Sequence, residues 1–344
     1  MSDTVEVTSV PIPLSAFVTY ADTSAAHAII RALLKQGYKV AASTTHGTKG
    51  AAAIRALGAV PTYTDLSREA DIKSTLHMTK ADVVIDLSAT LANVLPFSKV
   101  TVNTASLDIV PLLNACHAIG IKKLIYVGFL GALGNTGGDH HDDHGHAHPA
   151  TASESTELSR DNDVFKALAR AESVLLKSDF NVVILRSGYL YGDHSAALDS
   201  LVATLKGGRP VIKGSGVAPF VHVDDLASAV LIAAEQSDIP SRVYHISGDS
   251  PLTFDAFASG LGEALGVGDP FYLPVLSTMT SGLQETLLNQ SVHVGNGLAK
   301  TELGWSPKYP TVAEGIERML MIWRANEVHA LPAPKTEASA LVKA

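Results

Sequence analysis

The chain has 344 residues, 46% of them hydrophobic and 17% charged, enough for one large or two modest domains with a substantial core. Its formal net charge of -8 argues against nucleic acid or an anionic membrane as partner, and the single cysteine, Cys116, excludes an internal disulfide and suits a reducing compartment. No apolar run approaches the ~20 residues of a membrane span, and the first ten residues carry Asp3 and Glu6 rather than a basic stretch followed by an apolar block, so a cytoplasmic protein is expected.

Short apolar runs alternate with helical patterns through the first half. Strands are expected at 14–19, 39–43, 60–64, 83–87, 123–127 and 181–185, and helices at 25–36, 48–57, 68–77, 102–118 and 162–177. Strands of this length separated by single helices are the pattern of βαβ units and a parallel sheet. Gly37, Gly58 and Gly120 fall just after helices, where a left-handed residue closes the last turn. The second half is less regular, with turn signals at 207–210 and 213–216, strands at 220–223 and 242–247, and helices at 226–235, 252–265 and 312–324.

The turn after the first strand has the outline of a dinucleotide site without its glycines. Such a site places glycine at positions 20, 23 and 26, for the tight turn, the approach of the pyrophosphate and helix–strand packing. This chain has Tyr20, Thr23 and Ala26. Thr23 and Ser24 still offer hydroxyls and N–H groups at a helix start, whereas Asp22, read as a helix cap, sets negative charge beside a phosphate and the Tyr20 ring can fill the channel. After the second strand, Ser43-Thr44-Thr45-His46 contains neither the acid that selects NAD nor the arginine that selects NADP, and Thr44 can hold either ribose.

One segment is compositionally biased: residues 137–149 hold five of the chain's 14 histidines. Imidazole and carboxylate suit a transition metal, which makes His140, His144, His146 and His148 candidate ligands, but the spacing is not that of a preformed tetrahedral site and a solvated low-complexity loop is the favoured explanation. Cys116 sits in an apolar helical pattern and reads as a small core residue.

Further landmarks fall in one family's order. They are Asp65-Leu66 after the third strand, Asp82 to Ala89 at the fourth, Val102-Asn103, Ile121 to Val127 as the fifth, Arg186-Ser187-Gly188-Tyr189-Leu190-Tyr191-Gly192 after the sixth, Phe220 to Ala227, and Leu303-Gly304-Trp305-Ser306-Pro307. In these the chain resembles the extended short-chain dehydrogenase/reductases, the NAD-dependent epimerase/dehydratase group, over roughly residues 14–325. The resemblance implies an α/β fold with a Rossmann-type doubly wound parallel sheet and a smaller C-terminal substrate domain. The dinucleotide domain would take 1–190 and 221–247, the substrate domain 191–220 and 248–330, and 331–344 a flexible tail. It implies NAD or NADP as cofactor, a small-molecule substrate and a homodimer formed through the helices at 102–118 and 162–177. Cofactor contacts would come from Thr19, Thr23, Ser24, Thr44, Asp65, Leu66, Ser88, Ala89, Asn103 and Arg186.

The family's reaction centre is a hydroxyl residue after the fifth strand and a Tyr-x-x-x-Lys on the next helix, where the lysine lowers the tyrosine's pKa from ~10. Registered on Glu172, the tyrosine and lysine positions are Val164 and Leu168, and the hydroxyl position falls near Phe129. Lys166 lies about 200° around the helix from Val164 and does not replace either. Tyr189, Tyr191 and His144 are the candidate substitutes for the missing acid. Two expectations stand side by side: an enzyme of changed mechanism (lyase, isomerase or oxidoreductase) on a small molecule, and a non-catalytic nucleotide- or metal-sensing scaffold.

Overall fold

The apolar runs of the first half become the strands of one sheet. In chain order these are β1 (Ser15–Val18), β2 (Lys39–Ser43), β3 (Val60–Thr62), β4 (Val83–Asp86), β5 (Lys123–Phe129) and β6 (Val182–Ser187). The later strands are β7 (Tyr189–Tyr191), β8 (Phe220–His222) and β9 (Val243–Ile246). The computed structural model describes residues 14–97, 101–136, 139–141, 147–149, 151–192, 195–240, 242–274 and 282–330, of which 139–141, 147–149, 196 and 326–330 by their backbone alone. The sheet has seven strands in the order β9-β6-β5-β4-β1-β2-β3, all parallel. The chain steps outward from β1 to β3, returns, and steps outward the other way from β4, which leaves the topological switch point between β1 and β4. In open sheets of this kind ligands bind there, outside the carboxyl ends of the strands.

Helices cover both faces: α1 (Ser24–Lys35), α2 (Gly47–Leu57), α3 (Glu69–Thr79), α4 (Val110–Ile119), α5 (Asp163–Lys177), α6 (Ala196–Lys206), α7 (Val223–Glu235), α8 (Phe254–Ala264), α9 (Gly282–Asn289) and α10 (Val312–Ala330). Strands covered on two faces read as unbroken apolar runs, and β4 and β5 are buried at every position. One side of the core packs Ile29, Ile30 and Leu33 of α1 with Leu226 and Val230 of α7. The other packs Leu112 and Cys116 of α4 with Phe165, Leu168 and Leu175 of α5.

Several boundaries differ from expectation, each for a local reason. The helix expected over 102–118 is two pieces. Asn103 caps a 3-10 turn at Thr104–Leu107 by accepting from the Ala105 N–H, and α4 restarts with a proline in its first turn. The cap of α1 is Thr23, which accepts from the Ala26 N–H at 3.2 Å, not Asp22. The cap of α7 is His222, whose Nδ1 accepts from the Asp224 N–H at 3.2 Å, so this helix starts earlier than 226. Asp225 accepts from the backbone N–H groups of Lys308 (2.7 Å) and Tyr309 (3.1 Å), while the Trp305 indole donates to the Asp225 carbonyl and to Ser228 Oγ. This fastens the segment 303–309 to α7. Leu252–Thr253, expected inside a helix, pairs antiparallel with Val217–Ala218, and Thr253 caps α8.

Candidate functional site at the switch point

The residues after β1 and β4 form the crevice. Thr19 is fully buried; its hydroxyl donates to Asp86 Oδ1 at 2.7 Å and accepts from the Leu87 N–H at 3.0 Å. Ser88 donates its hydroxyl (2.5 Å) and its N–H (3.2 Å) to Asp86 Oδ2. Both hydroxyls therefore face inward, onto a carboxylate that is 2% exposed and whose pKa burial pushes up against the pull of those donors. Ala89 is buried in the core beside them.

Tyr20 follows with φ of +48°, in the left-handed region that favours glycine. Its N–H donates to Ser43 Oγ at 3.1 Å and its hydroxyl to the Ser106 carbonyl at 2.9 Å. The side chain thus crosses from the end of β1 to the 3-10 turn that precedes α4. Burial, reinforced by the Asp86 carboxylate, raises the phenol's pKa; Ser106 lowers it, and Asp65 raises it by a smaller amount.

Asp22 points to the segment after β2. Its Oδ1 accepts from Thr44 Oγ1 at 2.5 Å, and its Oδ2 from the Thr45 N–H at 2.8 Å and Thr45 Oγ1 at 3.1 Å, with His46 Nδ1 also 3.1 Å away. Burial works to raise this carboxyl's pKa, but the bonds from Thr44 and Thr45 and the His46 charge outweigh it and hold it below the usual range. The packing is tight: a Cβ on Gly50 would collide with both Thr44 Oγ1 and Asp22 Oδ1. Asp65 is exposed and closes its own turn by accepting from the Ser67 N–H and hydroxyl; Leu66 is half-buried against the core.

Beyond Asp22 a cavity of about 290 Å³ opens between the start of α1, the segment after β4 and the start of α6. Thr23, Ser24, Thr90, Asn93 and Ser195 contribute its polar wall. Asn93 is the organising residue. Its Nδ2 donates to Ser187 Oγ (2.9 Å) and the Gly188 carbonyl (2.8 Å), and its Oδ1 accepts from the Leu190 N–H (3.3 Å), which ties the loop after β4 to the β6–β7 junction. No motif or spacing marks Asn93 or Ser195 in the sequence.

The other expected site residues lie elsewhere. Arg186 is 3% exposed on β6; it grips Glu172 of α5 through Nε (3.0 and 3.3 Å) and Nη2 (2.8 Å), and donates Nη1 to the carbonyls of Thr156 (2.9 Å) and Glu154 (3.4 Å). Tyr189 is fully buried among Phe129, Phe220 and Phe254, with its hydroxyl accepting from Gln290 Nε2 at 3.3 Å. Tyr191 packs against Phe220, His222 and Phe257 and donates to the Thr311 carbonyl at 3.4 Å, with its ring pressed on Gly315 of α10. Burial drives both phenols above their ordinary pKa. Val164 and Leu168 lie in the core beneath α5. The backbones of His140 and His148 face each other in a short antiparallel pair, 139–141 with 147–149; the side chains of these two, and the whole of His144 and His146, are outside the described residues. Among the described residues no group of three or more metal-ligating side chains converges, and no helix is long and apolar enough to cross a membrane.

The strand order and the switch-point crevice define a doubly wound fold of the dinucleotide-binding class. The profile of the NAD dependent epimerase/dehydratase family matches residues 24–247, more than half of the chain, and the protein belongs to that family. Among curated relatives it is 30% identical over 159 residues to a 3-diazoavenalumate denitrifying reductase of a Streptomyces species, a match covering 44% of this chain and 52% of that one. It is 28% identical, also over 159 residues, to the chloroplast stem-loop binding protein of 41 kDa b of Arabidopsis thaliana, covering 44% and 42%. The chain thus matches about half or less of these relatives' own length. Among solved structures, the Bordetella bronchiseptica enzyme WbmG in complex with NAD superimposes with a TM-score of 0.73 at 15% identity, over 94% of this chain and 97% of that one.

The cofactor that the family implies can be tested against these residues. A dinucleotide needs open backbone after β1 for its pyrophosphate; here the Tyr20 side chain lies across it. It needs polar donors after β2 for its ribose; here Thr44 and Thr45 are bonded to Asp22. The cavity of about 290 Å³ beside α1 is at the bottom of the ~300–1,000 Å³ range of ligand sites. Among the described residues, those after β1 and β2 are arranged so that they do not fit a full dinucleotide.

Proposed function

We propose that this is a divergent family member that holds a compact small molecule in the cleft at the start of α1, without hydride transfer and without the family's tyrosine–lysine relay. The observation that carries this reading is the composition of the cleft. Among the described wall residues only Asp22 titrates, and it is kept ionised with its oxygens engaged, so it can hold a ligand in place but not donate a proton at neutral pH. The positions where the relay would stand are Val164 and Leu168, and the hydroxyls of Tyr189 and Tyr191 are turned into the core. Net charge of -8 speaks against stem-loop RNA as the ligand. Cytoplasmic residence and a homodimer belong to the same reading.

A thermal-shift screen of neutral sugars, polyols and small amines tests it. Compact ligands should raise the melting temperature, and Val94→Trp, which fills the cleft wall, should abolish the effect. Reduction of NAD or NADP in the presence of UDP-glucose or dTDP-glucose, lost in Tyr191→Phe, would refute the reading. A second reading, an enzyme of changed mechanism, draws on the similarity to a reductase. It requires an acid from the histidine-rich segment, with His144 as the candidate, and deletion of 139–148 should then stop turnover while leaving ligand binding intact.

A further inference from the structure

We propose that Tyr20 and Asp22 are intramolecular occupants of the nucleotide crevice, so that this chain sets its own ligand class by filling the adenosine end and leaving only the cleft beside α1 open. The inference rests on the reading above and goes beyond it by naming the two residues responsible.

Tyr20 is the second residue past β1, and its hydroxyl ends on Ser106, in the segment that follows β4. Adjacent strands lie ~4.8 Å apart, so a tyrosine anchored at one strand end and bonded beyond the next spans the mouth of the switch point. Its φ of +48° is one that glycine adopts without penalty and that costs a larger residue ~1 kcal/mol. The side chain is kept in spite of that cost and is latched at its far end. Asp22, which lines the cleft and has its carboxyl pKa lowered, sets negative charge at the same mouth, so an incoming phosphate would meet it.

Asp22 completes the closure from the other side. Its carboxylate occupies two hydroxyls and one N–H of Thr44 and Thr45, donors that would otherwise face a ribose or a phosphate. The rest of the crevice retains its frame: Thr23 caps α1, and Ser88 and Ala89 stand at the end of β4. Removing the phenol and the carboxylate therefore restores an open turn, three donors and a helix start.

The experiment is calorimetric titration of AMP and of NADH into the full-length protein and into Tyr20→Gly/Asp22→Ala, with melting temperature as an independent readout. The double variant should bind AMP at least ~10-fold more tightly than the unmodified chain. Asp22→Ala alone, with the ring retained, should gain little. If the double variant does not fold, Tyr20→Asn/Asp22→Ser replaces it, since asparagine tolerates the left-handed region. Equal binding by the unmodified chain and the double variant would overturn the proposal. So would a folded double variant with no gain, or full gain from Asp22→Ala alone. A folded double variant that fails to gain AMP leaves the cleft reading standing, whereas loss of the Val94→Trp effect removes that reading and not this one.

Discussion

Replacing Arg186 with methionine separates two roles for this residue. As a ligand for a cofactor phosphate it would affect binding and leave the fold alone. In the structure it is 3% exposed and faces a Glu172 carboxylate that is 4% exposed, with three contacts of 2.8–3.3 Å between them. Removing one member of a buried pair strands the other and costs about 3–5 kcal/mol, and the Thr156 carbonyl, served by Nη1 at 2.9 Å, adds about 1 kcal/mol for its lost donor. Against the ~5–15 kcal/mol that holds a typical domain together, Arg186→Met should come close to unfolding the protein. Burial already raises the Glu172 pKa and the guanidinium opposes that shift; without it the carboxyl rises further. A carboxyl raised in the folded state contributes stability below its unfolded pKa of ~4.3 that is lost as the pH rises through the folded value, so the deficit of the variant should narrow on acidification. Urea unfolding at two pH values measures this, and Glu172→Met/Arg186→Met should recover most of the loss. A deficit under ~1 kcal/mol with an unchanged denaturant slope would refute the assignment.

Three further outcomes follow from the same contacts. Tyr191→Phe loses only the long 3.4 Å bond to the Thr311 carbonyl, so chemical denaturation should show a change of about 1 kcal/mol or less, with ligand binding in the cleft unaltered. Gly315→Ala drives a methyl into the Tyr191 ring and hydroxyl and should cost about 1–3 kcal/mol, read as a fall in melting temperature. Asp86 has its pKa raised by burial, so its contribution is present below the unfolded value and lost as pH rises through the folded one. Melting curves from about pH 4 upward should therefore show the unmodified protein losing ground to Asp86→Asn, and parallel curves would count against a buried, titrating carboxyl.

The sheet was legible because strands covered on both faces are apolar without interruption, and each lies between helices with a 3.6-residue apolar spacing. The glycine-free turn was legible too, since Tyr20, Thr23 and Ala26 stand where backbone must be bare. What lay beyond the sequence is the direction in which polar side chains turn. Thr19 and Ser88 face Asp86, and Asp22 reaches a threonine pair more than twenty residues away, because strand pairing brings those segments together and no local pattern encodes that. The break at 104–109 was hidden because the apolar spacing continues across it while Asn103 and Pro111 reset the backbone. Arg186 and Glu172 were each visible as family landmarks, but not as each other's partner.

The clamp between α7 and the segment 303–309 also governs when the chain can finish folding. Asp225 is a 2%-exposed acid whose two donors sit on Lys308 and Tyr309, more than eighty positions later. On the ribosome those donors emerge long after α7 has been made. Until then the helix carries a carboxylate that water must solvate, so its burial waits until residues 308–309 have been made, and a nascent chain halted near residue 300 should expose that face to chaperones.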